Sequence, residues 1–75
     1  MFQLTIGTTT SRTKVIVSED ITPKQAMEDN DIDYSVATVH LDGAVVSTAD
    51  MNKSFAELGV GESAMLIAVV KQDNA

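Results

Sequence analysis

Ala64-Met65-Leu66-Ile67-Ala68-Val69-Val70, closed by Lys71, is an unbroken apolar run. It falls well short of the ~20 residues that cross a bilayer, and its Val and Ile favour extended backbone. It therefore reads as a strand buried on much of both faces, hence central in a sheet. The rest of the chain wraps around it.

Just upstream, Gly59-Val60-Gly61-Glu62 is a turn into this strand. Ser54-Phe55-Ala56-Glu57 is a capping box ended at once by Leu58-Gly59, which predicts one helical or 3₁₀ turn that plugs Phe55 and Leu58 into the core. Further out, Ala37-Thr38-Val39-His40-Leu41 alternates, with Val39 and Leu41 on one face and His40 on the other. Asp42-Gly43 is a type I′ hairpin signal, because both central residues of that turn need positive φ, and Ala44-Val45-Val46-Ser47 is the return strand.

Before these, Thr22 is placed as an N-cap, Pro23 as first helical residue and Gln25 as the partner in a capping box, with Ile21 set to staple onto Ala26. The helix should stop near Asn30, since Asp29-Asn30-Asp31 has low propensity and sets negative charge at the negative end of the dipole. At the N-terminus Phe2, Leu4 and Ile6 alternate with Gln3 and Thr5. After a polar interruption, Thr13 to Ser18 is β-branched again, predicting an antiparallel hairpin with Val15 and Val17 inward and Ile16 outward.

Seventy-five residues make one domain near the lower limit for folding without staples, and no cysteine supplies a disulfide or thiolate metal site. Residues 1–71 are assigned to that domain and Gln72-Asp73-Asn74-Ala75 to a fraying polar tail. Met1 to Ile6 has neither the basic nor the long apolar segment of a signal peptide, so a soluble, cytoplasmic chain is expected, with no membrane partner. Eleven acids against five bases give a net charge of −6, which repels phosphate backbones. With few aromatic residues as stacking platforms, nucleic acid is excluded as a partner.

This order, hairpin, helix, strand, short strand, helical turn and long last strand, resembles the ubiquitin-like β-grasp across essentially the whole chain, most closely from Thr38 to Val70. Asp42-Gly43 sits at the ubiquitin-like hairpin, and Ser54-Phe55-Ala56-Glu57-Leu58-Gly59-Val60 looks like the short helical turn with its apolar plugs. The resemblance implies an α+β fold: a mixed sheet of four to five strands in ββαββ order on one short helix, the first and last strands parallel at the centre. Ubiquitin and the bacterial sulfur carriers of thiamine and molybdopterin synthesis act through a C-terminal Gly-Gly, whereas this sequence ends Asp73-Asn74-Ala75 and its last glycine is Gly61. Conjugation and sulfur transfer are accordingly not expected. The ending from Val69 to Ala75 resembles that of small bacterial ubiquitin-like proteins of mobile elements, which implies no activity.

Acids cluster at Glu19, Asp20, Glu28, Asp29, Asp31 and Asp33. Asp29-Asn30-Asp31-Ile32-Asp33 starts like a calcium loop, but Tyr34 stands where the loop needs glycine and His40 where it needs a bidentate Glu. Glu28, Asp29, Asp31 and Asp33 are read as a solvated acidic face able to meet a basic partner, with no metal. His40 is the sole histidine, so a two-histidine metal site or a Cys/His dyad cannot form within one chain. Each serine is explained by a turn, strand edge or cap, and Gly59-x-Gly61 lacks the rest of a phosphate loop. An enzyme is not expected, nor a cofactor.

The expected core takes Leu4, Ile6, Val15 and Val17 from the first hairpin, Met27 from the helix, and Val39, Leu41 and Val46 from the second hairpin. Phe55, Leu58 and Val60 join from the turn, and Met65, Ile67 and Val69 from the last strand. On that phase Leu66, Ala68 and Val70 face outward beside His40, and the resemblance implies that this outer face docks a protein partner. The functional expectation is a non-conjugated adaptor, a monomer or weak homo-oligomer. A carrier in a sulfur-transfer or conjugation-like system and a self-associating structural protein are the alternatives.

Overall fold

The computed structural model describes residues 1–70, with Val70 by its backbone alone; Lys71 and the expected tail lie outside the described residues. Alternating Phe2, Leu4 and Ile6 form β1 (Phe2–Thr8), which pairs antiparallel with β2 (Arg12–Val17) from Phe2↔Val17 to Gly7↔Arg12. The loop closes where Thr8 N–H donates to Ser11 O at 2.8 Å. A Cβ at Gly7 would overlap that same carbonyl oxygen, so only glycine lets the chain turn so tightly there.

Helix α1 (Pro23–Asp29) starts as its sequence dictates, with Thr22 Oγ1 accepting Gln25 N–H at 3.1 Å and Asn30 as C-cap. The reciprocal half of the capping box is not made. Gln25 Nε2 instead donates to Asp29 Oδ1 at 2.8 Å, one turn further along, where an ionised acceptor gives the stronger bond.

Strands β3 (Ala37–Leu41) and β4 (Ala44–Val45) flank Asp42-Gly43, whose φ angles of 51° and 90° are those of the expected turn. The return strand is shorter than expected because Ser47 leaves it to cap an unforeseen helix, α2 (Thr48–Met51), by accepting Asp50 N–H at 3.1 Å. This single turn buries Met51. The expected turn at Ser54 is present as a single capped turn, with Leu58 N–H donating to Ser54 O at 3.1 Å. Ser54 Oγ accepts Glu57 N–H at 3.1 Å, and Val60 N–H→Phe55 O and Gly59 N–H→Ala56 O, each 3.1 Å, close it with Gly59 at φ 79°. Those two bonds are the Schellman pair, so the segment stops before a second turn can form. Phe55 is fully buried with its ring edge against Phe2, centroids 5.0 Å apart, while Leu58 is half-buried.

The last strand, β5 (Ser63–Val70), lies parallel to β1 and antiparallel to β3, giving the sheet order β2-β1-β5-β3-β4. This is the α+β, ubiquitin-like β-grasp arrangement expected, with Ala26 and Met27 of α1 buried in the same cluster as Leu4, Ile6 and Val39. No helix among the described residues is long and apolar enough to cross a membrane.

One expectation is reversed. Paired residues share a face of the sheet, and the register sets Leu66 between Ile6 and Leu41, and Ala68 between Thr8 and Val39. Ala64, Leu66 and Ala68 therefore face the helix layer, Leu66 with no exposed surface, and the odd positions turn outward. Met65 is 40% exposed, Val69 is half-buried, and Ile67 is buried yet stands outside the core cluster. Apolar on both phases, the run carries no internal polar residue to set its alternation. A shift of one position exchanges every side chain between faces. Tertiary packing decides: large Leu66 between two alanines leaves room for Phe55 and Met27, both fully buried in the same cluster.

Candidate protein-docking face

The outer face of the sheet can be built row by row from the register. One row runs across all five strands as Val45, His40, Ile67, Gly7 and Arg12; beside it run Met65, Thr5 and Lys14, and then Gln3 and Ile16. Val45 and Ile16 are 64% and 63% exposed, whereas Ile67 is only 7% exposed among its neighbours. Helices α1 and α2 bury Ala26, Met27 and Met51 in the cluster on the other side. The outer face thus presents Met65 and the covered Ile67 on its central strand, His40 and Val45 toward the β4 edge, and Arg12, Lys14 and Ile16 on the β2 edge.

A shallow depression of about 340 Å³ opens on this face between Gln3, Thr5, Lys14, Asp42 and Met65. Asp42 binds at its rim. Its N–H donates to Met65 O at 2.8 Å, and its Oδ1 accepts Met65 N–H at 2.9 Å. The hairpin turn is thereby laced to the start of β5, and one carboxylate oxygen is committed to backbone.

Of the residues expected to dock a partner, His40 stands on the outer face, half-buried, as its alternation requires. Leu66 and Ala68 do not: at 0% and 1% exposure they belong to the core, and the phase reversal of β5 is the reason. The side chain of Val70 lies outside the described residues; its backbone pairs with Ala37. Ile67, Met65 and Val45 take the expected places instead. A signal for this was available in the ends of the run, since polar Ser63 and Lys71 share the parity of 65, 67 and 69.

The acidic group lies on α1 and the segment after it, and Glu28, Asp29, Asp31 and Asp33 are all exposed. Three of these carboxylates are bonded within the chain. Gln25 donates to Asp29; Tyr34 Oη donates to Glu28 Oε2 at 2.8 Å; Ser35 donates to Asp33 Oδ1 from Oγ at 2.6 Å and from N at 3.0 Å. The Ser35 hydroxyl, then its N–H, hold the Asp33 carboxyl below its usual range, and the bond to Glu28 raises the Tyr34 phenol above its ordinary value. Asp31 takes a left-handed φ of 57°, which turns the chain out of the helix. No group of three or more His, Asp or Glu among the described residues is placed to hold a metal ion.

No protein-family model and no curated protein matches the chain. Among solved structures it is similar to the ubiquitin-like domain of an Arabidopsis thaliana protein, determined by solution NMR. The TM-score is 0.73, over 99% of this chain and 81% of that one, at 15% identity. That likeness shows the fold: the chain has the architecture of ubiquitin-like domains.

Proposed function

We propose that the chain is a protein-interaction module, not an enzyme, which docks a partner noncovalently on the outer face of its sheet. The observation that carries this reading is the cluster of Val45, Met65 and Ile67 around His40 on a face that neither α1 nor α2 covers. Exposed apolar side chains gathered on one sheet face gain most from being covered, and a hydrophobic centre with a polar margin is the usual anatomy of an interface. The ubiquitin-like fold supports the same reading by analogy, because the resemblance implies docking through this face. The acidic residues are weaker candidates for the contact, since three of their four carboxylates already have partners within the chain.

The test is affinity capture from lysate of the source cell with the parent chain, Val45→Asp, Met65→Asp and Asp29→Lys. The two outer-face variants are expected to lose the captured protein with melting temperature unchanged, and Asp29→Lys to keep it. If Asp29→Lys loses the partner while Val45→Asp and Met65→Asp retain it, the docking face is wrongly assigned.

A further inference from the structure

The five strands contain no acidic residue, although the chain carries a net charge of −6. Their only charged side chains are Arg12 and Lys14, both exposed, both on β2 and both on the outer face. Acids occupy the loops and helices instead: Glu19 and Asp20 before α1, Glu28 and Asp29 in it, Asp31 and Asp33 after it, Asp50 in α2 and Glu57 in the capped turn. Asp42 lines the outer-face depression with one oxygen held by Met65 N–H, and Glu62 precedes β5. The ion pairs found among the described residues, Met1 amine with Glu19 and Lys53 with Asp50, engage neither Arg12 nor Lys14. The molecule is thus polarised, with both strand cations on one margin of the outer sheet face and most of its acids on loops and helices, although Asp42 lines the same depression as Lys14.

Resting on the docking role assigned above, we propose that the partner is a polypeptide segment presenting acidic side chains over Arg12 and Lys14 and an apolar anchor over Val45 and Met65. The spacing follows from the sheet. Arg12 and Lys14 stand two residues apart on one strand face, ~6.7 Å, which is the separation of alternate side chains on an extended segment. Met65 lies two strand spacings, ~9.5 Å, from Lys14 across Thr5, so a segment laid along β2 over the two cations must turn across the strands to set its apolar anchor there. A carboxylate can meet the Arg12 guanidinium through two parallel bonds, which fixes orientation.

Cations on an edge strand also discourage edge-to-edge pairing, and that role is indifferent to the charge of a bound segment. Selection of a phage-displayed random peptide library against the whole chain separates the two. Selected peptides are synthesised and their affinity measured for the parent, the double variant Arg12→Glu/Lys14→Glu and Val45→Asp, all at exposed positions and each checked for an unchanged melting temperature. The expected result is enrichment of peptides pairing acidic with apolar residues, binding that weakens with added salt, and a loss of about tenfold or more in the double variant. Peptides of neutral or basic composition, or equal binding to the double variant, overturn the acidic partner; if these still require Val45, the docking face itself stands. Binding indifferent to Val45→Asp, or a library yielding nothing above background, counts against both.

Discussion

Replacing Leu66 by Ala tests the phase of the central strand, on which the division into core and docking face depends. Leu66 has no exposed surface and lies between Ile6 and Leu41 in the register. Truncating a buried leucine costs ~2–5 kcal/mol, depending on how far the surroundings collapse into the void. Here its neighbours along the strand face, Ala64 and Ala68, are too small to fill it, so we expect at least ~3 kcal/mol. A chain of this length has about 4–11 kcal/mol of total stability, at ~0.05–0.15 kcal/mol per residue. Such a loss lowers the melting temperature by ~12–24 °C, at 4–8 °C per kcal/mol for a domain of this size. Met65→Ala, at a position 40% exposed on the opposite face, should cost less than ~1 kcal/mol. Urea unfolding followed by circular dichroism, with midpoints compared at constant m, gives both numbers. Equal losses, or a larger one for Met65, would mean that the odd residues face the core and would refute the register argument.

Gly7→Ala should destabilise by ~1–3 kcal/mol, because its Cβ would overlap the Ser11 carbonyl and the hairpin backbone must shift to admit it; a neutral result by urea unfolding would show that the loop has slack. The Tyr34 phenol is raised by its bond to Glu28, so Glu28→Gln should move it back toward the ordinary value, as read by tyrosinate absorbance. Because the folded value is the raised one, the contribution of that bond is complete below the unfolded phenol's pKa and is lost as pH rises through the folded value. An unchanged titration in the variant would remove Glu28 as the cause.

Local signals were legible where residue chemistry and backbone geometry coincide. Asp42-Gly43 can take two positive φ angles in succession, and Thr22-Pro23 cannot easily be anything but the start of a helix. Ser54 and Glu57 do form their reciprocal cap, and what the pattern could not show is that Gly59 closes the turn before a helix is established. Helix α2 was hidden because Ser47 fits a strand end as well as an N-cap, and the choice lies with Met51, which is drawn into the core. The docking face was half legible for a related reason. His40 sits between apolar neighbours whose parity is unambiguous, whereas every residue from Ala64 to Val70 is apolar and either phase satisfies the pattern. The polar ends Ser63 and Lys71 point to the observed phase, and pairing with β1 and β3, whose phases are clear, fixes it.

That pairing places core and proposed docking face in alternation along a single strand, with Leu66 holding the fold together and Met65 and Ile67 on the other face. Ile67 stands between the two. It is 7% exposed although it faces outward, packed in a row whose next member on β1 is Gly7, which has no side chain to offer. A side chain so covered has little surface left to bury against a partner. Its contribution to docking is therefore to hold His40, Val45 and Met65 at a fixed height, and the area gained on binding must come from those neighbours and Ile16. Affinity and stability then separate cleanly at Val45 and Met65, while a polar substitution at Ile67 would lower both and report on neither.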